Sequence, residues 1–312
     1  MAINKAVMAA IKAISYADID IRKIYKTERQ LKTIASKLKA KPLNYTTWDR
    51  KVYCGDHVVP VRIYPPPEDG QKAPSLIFFH GGGWVSGNID SYDGVCCDMA
   101  RMIGSWVISV DYRLAPENPF PAGLEDCYAI TRELHRERLA GAGDDLTIVG
   151  DSAGGNLAAA LSLMARDRGE FRISRQILIY PALNNDYSEN SRFPSVIENG
   201  TDYLLTSKRI NDYMELYLSD EKDLENPYFA PLLAGSLENQ PSTLIITAEY
   251  DPLRDEGEFY GEQLRLAGND VWTHRLADAL HGCFSLPVSF ANVKEIHKVM
   301  REFLGGGEES ID

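Results

Sequence analysis

Short apolar runs alternate with longer amphipathic segments along most of the chain. Each apolar run is rich in Val, Ile, Leu or Phe, and runs of this length and composition are typical of buried strands. They predict strands at Leu76–Phe79, Trp106–Val110, Leu146–Val149, Gln176–Tyr180, Thr243–Thr247 and Val271–Arg275. The segments between them predict helices near 91–103, 123–138, 154–167, 256–267 and 290–304. This alternation predicts an α/β protein with a mostly parallel sheet covered by helices on both faces.

Three segments depart from this alternation. Residues 46–53 and 57–64 have the period of two expected of strands, and Cys54-Gly-Asp56 between them predicts a hairpin at a sheet edge, where Pro60 is tolerated. Residues 1–40 predict two helical segments. Residues 184–235 lie between two core strands and include a helix-like stretch, Ser207–Leu218. We interpret them as an insertion that packs with the N-terminal helices as a lid, with surface decoration as the alternative.

Composition and charge exclude several classes of function. The 312 residues are 44% hydrophobic and 25% charged, which fits one large α/β domain with a modest elaboration. The net charge of −12 argues against nucleic acid or an anionic membrane as the main partner. We find no apolar run of transmembrane length, and charged residues interrupt the apolar pattern of the N-terminus, which argues against a signal peptide. We therefore expect a cytoplasmic protein.

The five cysteines show neither the spacing of a metal site nor the density of a disulfide scaffold. We expect reduced, buried thiols, because free cysteine is among the most buried residue types. The adjacent Cys96 and Cys97 leave a vicinal redox pair as the alternative.

The first chemical signal is the stretch from Leu146 to Ala165. The predicted strand runs into Gly150-Asp-Ser-Ala-Gly154, which fits G-x-S-x-G, and an alanine-rich helical segment follows. A strand, a tight turn and a helix with this motif predict a nucleophile elbow that presents Ser152. The motif alone should occur by chance in roughly one 300-residue protein in ten, so a simple glycine turn is the alternative. The interpretation depends on finding a base and an orienting carboxylate later in the chain.

The base is expected in a late loop. Of the six histidines, His281 follows the last predicted strand and precedes the last helix, whereas His135, His274 and His297 lie within predicted elements. The orienting carboxylate should follow the preceding strand, where Asp251 lies closest to the strand end. Glu249 and Asp255 remain alternatives. The order Ser152, Asp251, His281 is the chain order expected for this type of site.

Donors for a developing oxyanion are predicted in Phe79-His-Gly-Gly-Gly-Trp84, directly after a strand. Glycines without Cβ atoms would let the N–H groups of Gly82 and Gly83 approach an anion, together with the N–H of Ala153 after the nucleophile. A flexible glycine turn is the alternative interpretation.

Five motifs together resemble the hormone-sensitive-lipase-like family of α/β-hydrolase esterases (bacterial family IV), in the branch with Asp before the serine. They are His80-Gly-Gly-Gly83, Asp111-Tyr-Arg-Leu-Ala-Pro-Glu117, Gly150-Asp-Ser-Ala-Gly-Gly155, Asp251-Pro-Leu-Arg-Asp255 and His281-Gly282. The resemblance implies an α/β-hydrolase fold with a helical cap, a triad of Ser152, Asp251 and His281, and an oxyanion hole from Gly82, Gly83 and Ala153. It implies no cofactor and no metal. It also implies that the Asp111–Glu117 motif braces the elbow. Cys283 departs from the family, which often has phenylalanine there.

The resemblance and the pattern divide the chain into N-terminal cap helices (1–45), a first part of the hydrolase core (46–183), a cap insertion (184–235) and a second part of the core (236–312). The expected activity is that of a serine carboxylesterase acting on short-chain acyl esters. A deacetylase or amidase acting on an acetylated small molecule or sugar is one alternative, and a non-catalytic ligand-binding protein is another. The expected partner is a small-molecule ester, with no stable membrane association, and the resemblance favours a homodimer through the last strand or helix.

Overall fold

The computed structural model of the protein describes residues 15, 20–38, 45–67, 74–138 and 145–305. The first of the two predicted N-terminal helices lies largely outside these residues. The second is present as helix α1, Ile21–Leu38. Within the described ranges, no helix is both long enough and apolar enough to cross a membrane.

A single eight-stranded sheet organises the molecule. Its strands are β1 (Trp48–Cys54), β2 (His57–Tyr64), β3 (Ser75–Phe79), β4 (Val107–Val110), β5 (Leu146–Asp151), β6 (Arg175–Ile179), β7 (Ser242–Tyr250) and β8 (Val271–Leu280). The spatial order is β1-β2-β4-β3-β5-β6-β7-β8. Only the β1–β2 and β2–β4 pairs are antiparallel, and the other neighbours are parallel. The prediction of a mostly parallel α/β sheet is confirmed.

Helices cover both faces of this sheet. They are α2 (Asp93–Ile103), α3 (Ala122–Glu137), α4 (Ala153–Arg168), α5 (Pro194–Asn199), α6 (Ser207–Tyr217), α7 (Arg254–Leu266) and α8 (Ala291–Phe303). Successive strand residues point to opposite faces. Leu76 and Phe78 accordingly pack in the core beneath α2 and α8, whereas Ile77 and Phe79 pack in the core that contains residues of α3, α4 and α7. Helix α4 is buried along its alanine-rich length from Ala153 to Ala165.

The position predicted for Pro60 is wrong in one respect. The hairpin does lie at the sheet edge, but β1 is its outer strand, and Pro60 belongs to the inner strand β2. The β2–β4 ladder begins at Val61 and its register places Pro60 opposite Asp111, so the missing N–H of proline costs only one bond, at the end of that ladder. The Pro60 carbonyl instead accepts a hydrogen bond from the N–H of Asp111 at 3.0 Å.

The N-terminal helix α1 and the segment between β6 and β7 contact each other. Helices α5 and α6 lie between β6 and β7, and α1 packs against α6. The guanidinium of Arg22 donates to the Glu215 carboxylate at 2.7 Å, and the N–H of Ile21 donates to Asp212 at 3.2 Å. The boundaries of a separate cap domain stay a prediction.

All five cysteines are buried free thiols. Cys96 and Cys97 belong to α2 and are packed in the core between this helix and the sheet, which agrees with a structural role for both.

Candidate active site

Ser152 occupies a tight turn that requires glycine two positions before it and two positions after it. It lies between β5 and α4 with φ +56° and ψ −119°, a conformation that is strained for a residue with a side chain. A Cβ atom at Gly150 would lie 2.1 Å from the carbonyl oxygen of Gly154, and one at Gly154 would lie 1.9 Å from that of Phe79. Both glycines of G-x-S-x-G are therefore required by close backbone packing, and the serine is held at the carboxyl end of the central strand.

The structure brings the three predicted residues into one hydrogen-bonded chain. The Nε2 atom of His281 lies 2.9 Å from Ser152 Oγ, and its Nδ1 atom lies 2.7 Å from Asp251 Oδ2. Asp251 is fully buried, and its second oxygen accepts a hydrogen bond from the N–H of Leu253 at 2.9 Å. The ring of Tyr180 packs beside the imidazole, with 4.7 Å between the ring centroids. Because parallel strands present their carboxyl ends at one edge, residues far apart in sequence meet there.

The rival carboxylates have other contacts. Glu249 accepts a hydrogen bond from the N–H of Asp278 at 2.6 Å. Asp255 accepts from the N–H of Ser195 at 2.7 Å and pairs with Arg254. Both therefore support the chain around Asp251, and the structure places Asp251 against the histidine.

The five other histidines contact partners elsewhere in the fold. His57 contacts Asp126, His80 contacts Tyr112, His135 contacts Phe171, His274 contacts Glu295, and His297 contacts the carbonyl of Val293.

The predicted oxyanion donors border the same cavity as the serine. A cavity of about 320 Å³ is lined by Gly82, Gly83 and Ala153 together with Ser152 and His281. Gly82 and Gly83 have φ angles of +124° and +62°, which glycine adopts readily. The carbonyl of Gly82 accepts hydrogen bonds from the N–H groups of Val85 and Ser86 at 3.2 and 2.9 Å. These bonds close a tight turn, which we call the oxyanion loop (residues 82–86).

Contacts of the Asp111–Glu117 motif reach this loop region rather than Ser152 itself. The hydroxyl of Tyr112 donates to the carbonyl of His80 at 2.7 Å, and Glu117 pairs with Arg29.

Cys283 is buried, whereas its neighbours Gly282 and Ser285 line the cavity. Among the described residues, no group of three metal-ligating side chains is placed to hold a metal ion.

Asp151 is a buried carboxylate for which the sequence motifs predict no role. Its two oxygens accept hydrogen bonds from the N–H of Gly81 at 2.8 Å and from the hydroxyl of Tyr92 at 3.0 Å. Burial raises the pKa of Asp151 to about 6, although these hydrogen bonds and the positive charge of a protonated His281 act in the opposite direction. The signal was available in the sequence, since Asp151 is the residue directly before the serine in G-x-S-x-G.

We expect Asp151→Asn to lower kcat about tenfold at pH 8, because the ionised Asp151 carboxylate attracts the imidazolium that forms on His281 during the reaction and asparagine does not. With a pKa of about 6, Asp151 is neutral at pH 5 and ionised at pH 8, so the ratio of wild-type to variant kcat should approach one at pH 5. Asparagine keeps an acceptor oxygen for Gly81. The check is a pH profile of kcat from 5 to 9 for both proteins, and a ratio that does not change with pH would contradict the charge argument.

The chain is similar to known esterases in sequence and in structure. A family model for the alpha/beta hydrolase fold matches residues 76–285. The chain is 42% identical over 228 residues to Esterase LipI of Mycobacterium tuberculosis, covering 71% of this chain and 69% of that protein. It is 36% identical over 244 residues to an arylesterase of Saccharolobus solfataricus, covering 77% and 78%. A hyperthermophilic esterase of Pyrobaculum calidifontis superimposes with a TM-score of 0.85 at 32% identity, covering 97% of this chain and 98% of that one.

Proposed function

Because this chain belongs to the hormone-sensitive-lipase-like family of α/β-hydrolases and is a carboxylic ester hydrolase, we propose that it cleaves short-chain esters through Ser152, His281 and Asp251. The observation that carries the proposal is the continuous hydrogen-bonded chain from Ser152 Oγ through the imidazole to the buried carboxylate. A nucleophile, a base and an orienting group in this sequence form the arrangement that activates a serine hydroxyl.

In the first half of the reaction, His281 Nε2 takes the proton of the Ser152 hydroxyl as Oγ attacks the ester carbonyl carbon. The negative charge that forms on the carbonyl oxygen is stabilised by the N–H groups of Gly82, Gly83 and Ala153. The imidazolium then gives its proton to the alkoxy oxygen, the C–O bond breaks, and the alcohol leaves. The acyl group remains bonded to Ser152.

In the second half, His281 removes a proton from a water molecule that attacks the acyl carbonyl. The same N–H groups stabilise the second oxyanion, the bond to Ser152 Oγ breaks as the imidazolium returns a proton to that oxygen, and the carboxylic acid leaves. Asp251 accepts a hydrogen bond from Nδ1–H throughout, so that Nε2 keeps its lone pair free for the serine or the water.

The cavity supports a preference for small esters. Its volume of about 320 Å³ lies near the lower end of the 300–1,000 Å³ that is usual for small-molecule sites. Apolar side chains of the segment between β6 and β7 form part of its wall, including Leu205, Ile210 and Tyr213. A long acyl chain would have to extend beyond this volume or displace these side chains.

We expect kcat/KM on p-nitrophenyl esters to be highest between acetate and hexanoate. Since each methylene that fits or clashes changes discrimination by about 1–3 kcal/mol, dodecanoate should fall at least about tenfold below the best substrate. The measurement is a chain-length series below the solubility limit of each ester. A profile that keeps rising to dodecanoate would contradict the short-chain assignment, and faster cleavage of p-nitroacetanilide than of p-nitrophenyl acetate would favour the amidase alternative.

Covalent labelling separates an esterase from a non-catalytic binder on the same fold. An organophosphate should add to the protein once per chain, and peptide mass analysis should place the adduct on Ser152. A protein that hydrolyses none of these esters and resists labelling would be a ligand-binding protein instead.

A further inference from the structure

The oxyanion loop is in direct contact with a side chain of the segment between β6 and β7. The ring of Tyr213, on α6, packs against Gly83 so closely that a Cβ atom there would lie 2.4 Å from the nearest ring carbon. Tyr213 also lines the cavity beside Gly82 and Gly83. The backbone of Gly83 therefore cannot move toward α6 while this ring keeps its position.

Glu28 holds the other end of the same side chain. The hydroxyl of Tyr213 donates to the two carboxylate oxygens of Glu28, on α1, at 3.0 and 3.1 Å. Burial and the adjacent Glu28 carboxylate raise the pKa of Tyr213 above its ordinary value, so its hydroxyl stays protonated and remains a donor at working pH. The ring is thus fixed between a carboxylate at its hydroxyl end and a glycine against its face.

The next residue of α1 contacts the loop directly. The Arg29 guanidinium donates to the carbonyl of Val85 within the oxyanion loop and to the carbonyl of Ala115, and it pairs with Glu117 at 2.8 Å. Two consecutive residues of α1 therefore restrain the loop, Arg29 by direct hydrogen bonds and Glu28 through Tyr213 and through a long hydrogen bond, 3.5 Å, from the hydroxyl of Ser86.

We propose that Glu28 and Tyr213 are positioning residues for oxyanion stabilisation, and that the hydrogen bond between them holds the Tyr213 ring against Gly83. The inference rests on the proposed role of the Gly82 and Gly83 N–H groups. Adjacent glycines have more backbone freedom than other residues, and donors stabilise a transition state best when they already point at the developing charge. Without the restraint, the loop would spend less time with both N–H groups directed into the cavity, which lowers kcat more than it changes substrate binding.

The test compares three single-residue variants and one double variant of this pair in kinetics on p-nitrophenyl butyrate. Tyr213→Phe and Glu28→Ala should each lower kcat about tenfold with KM changed less than about threefold, the pattern of an interaction that matters mainly in the transition state. Glu28→Gln keeps an acceptor oxygen and should retain kcat within about threefold of wild type. Combining Tyr213→Phe with Glu28→Ala should cost no more than Glu28→Ala alone, because Glu28→Ala already removes the hydrogen bond that Tyr213→Phe removes.

A matched control exists on the same two helices. Arg22 and Glu215 form an exposed ion pair between α1 and α6, at 2.7 Å, that does not involve the oxyanion loop. Glu215→Ala should therefore leave kcat within about twofold, since exposed pairs contribute little. Thermal unfolding of every variant shows whether it is folded. If Glu28→Ala does not fold, the kinetics of Tyr213→Phe test the proposal, since this variant lacks only one oxygen atom.

Affinity for a boronic acid that mimics the tetrahedral intermediate supplies a second readout. It should weaken in Tyr213→Phe by the same factor as kcat/KM, whereas binding of the product butyrate should not change. Unchanged kcat in Tyr213→Phe, an effect on KM alone, or an equal loss in Glu215→Ala would each overturn the proposal. Organophosphate labelling at Ser152 and the activity of Ser152→Ala test the underlying function separately. Activity that survives the loss of Ser152 would refute the mechanism, whatever the effect of Tyr213→Phe.

Discussion

Ser152→Ala is expected to lower kcat for p-nitrophenyl butyrate by about 10⁴–10⁶-fold, the scale found when a serine nucleophile is deleted from such a site. The variant lacks the oxygen that forms the acyl-enzyme, so only direct attack by water remains, assisted by the oxyanion donors and by substrate binding. The measurement is the initial rate at saturating ester, with enzyme concentration set by absorbance. The variant should also lose all labelling by the organophosphate.

A buried serine on the following helix supplies the control. The hydroxyl of Ser162, on α4, donates to Gln240 at 2.8 Å and does not line the cavity around Ser152. Ser162→Ala should destabilise the fold by about 1–3 kcal/mol, because it leaves a buried amide oxygen without this donor, while kcat stays within about twofold. Wild-type rates in Ser152→Ala, with contaminating esterase excluded, would refute the nucleophile assignment.

Asp251→Asn is expected to lower kcat by about 10⁴-fold, because an asparagine amide stabilises the wrong imidazole tautomer. An NH₂ group that donates to His281 Nδ1 leaves the ring proton on Nε2, and this nitrogen then cannot accept the Ser152 proton. The aspartate is fully buried and lies 2.7 Å from Nδ1, so water cannot readily replace it. The check is kcat at pH 7–8 together with an unfolding midpoint that shows the variant is folded.

Asp255→Asn is the control for Asp251→Asn, because Asp255 is the alternative carboxylate in the same turn. Asp255→Asn keeps an acceptor for the N–H of Ser195 and loses only the ion pair with Arg254, so kcat should remain within about fivefold of wild type. Equal losses of kcat in Asp251→Asn and Asp255→Asn would mean that both substitutions act by disturbing the turn after β7. A loss of less than about tenfold in Asp251→Asn would remove this residue from the proposed mechanism.

The sequence alone determined the helices and strands around the site and the order of the site residues along the chain. Strand β5 and helix α4 were predictable because apolar periodicity and glycine turns act over a few residues, and G-x-S-x-G marks a turn whose glycines lack room for a Cβ atom. The same local signals placed His281 in a loop and the oxyanion glycines after β3. They left Asp251, Glu249 and Asp255 open, because three carboxylates follow one strand and only the path of the turn decides which faces the histidine.

The tertiary structure decided what depends on distant residues. The contact between Ser152 and His281 spans 129 positions, and the contact between Glu28 and Tyr213 spans 185. No local pattern encodes such pairs, since they form only when the whole sheet and the segments above it are packed. The same reason applies to Pro60, whose strand β2 is internal because β1 pairs with its outer side. It also applies to Asp151, whose pKa is raised by burial in contact with Gly81 and Tyr92.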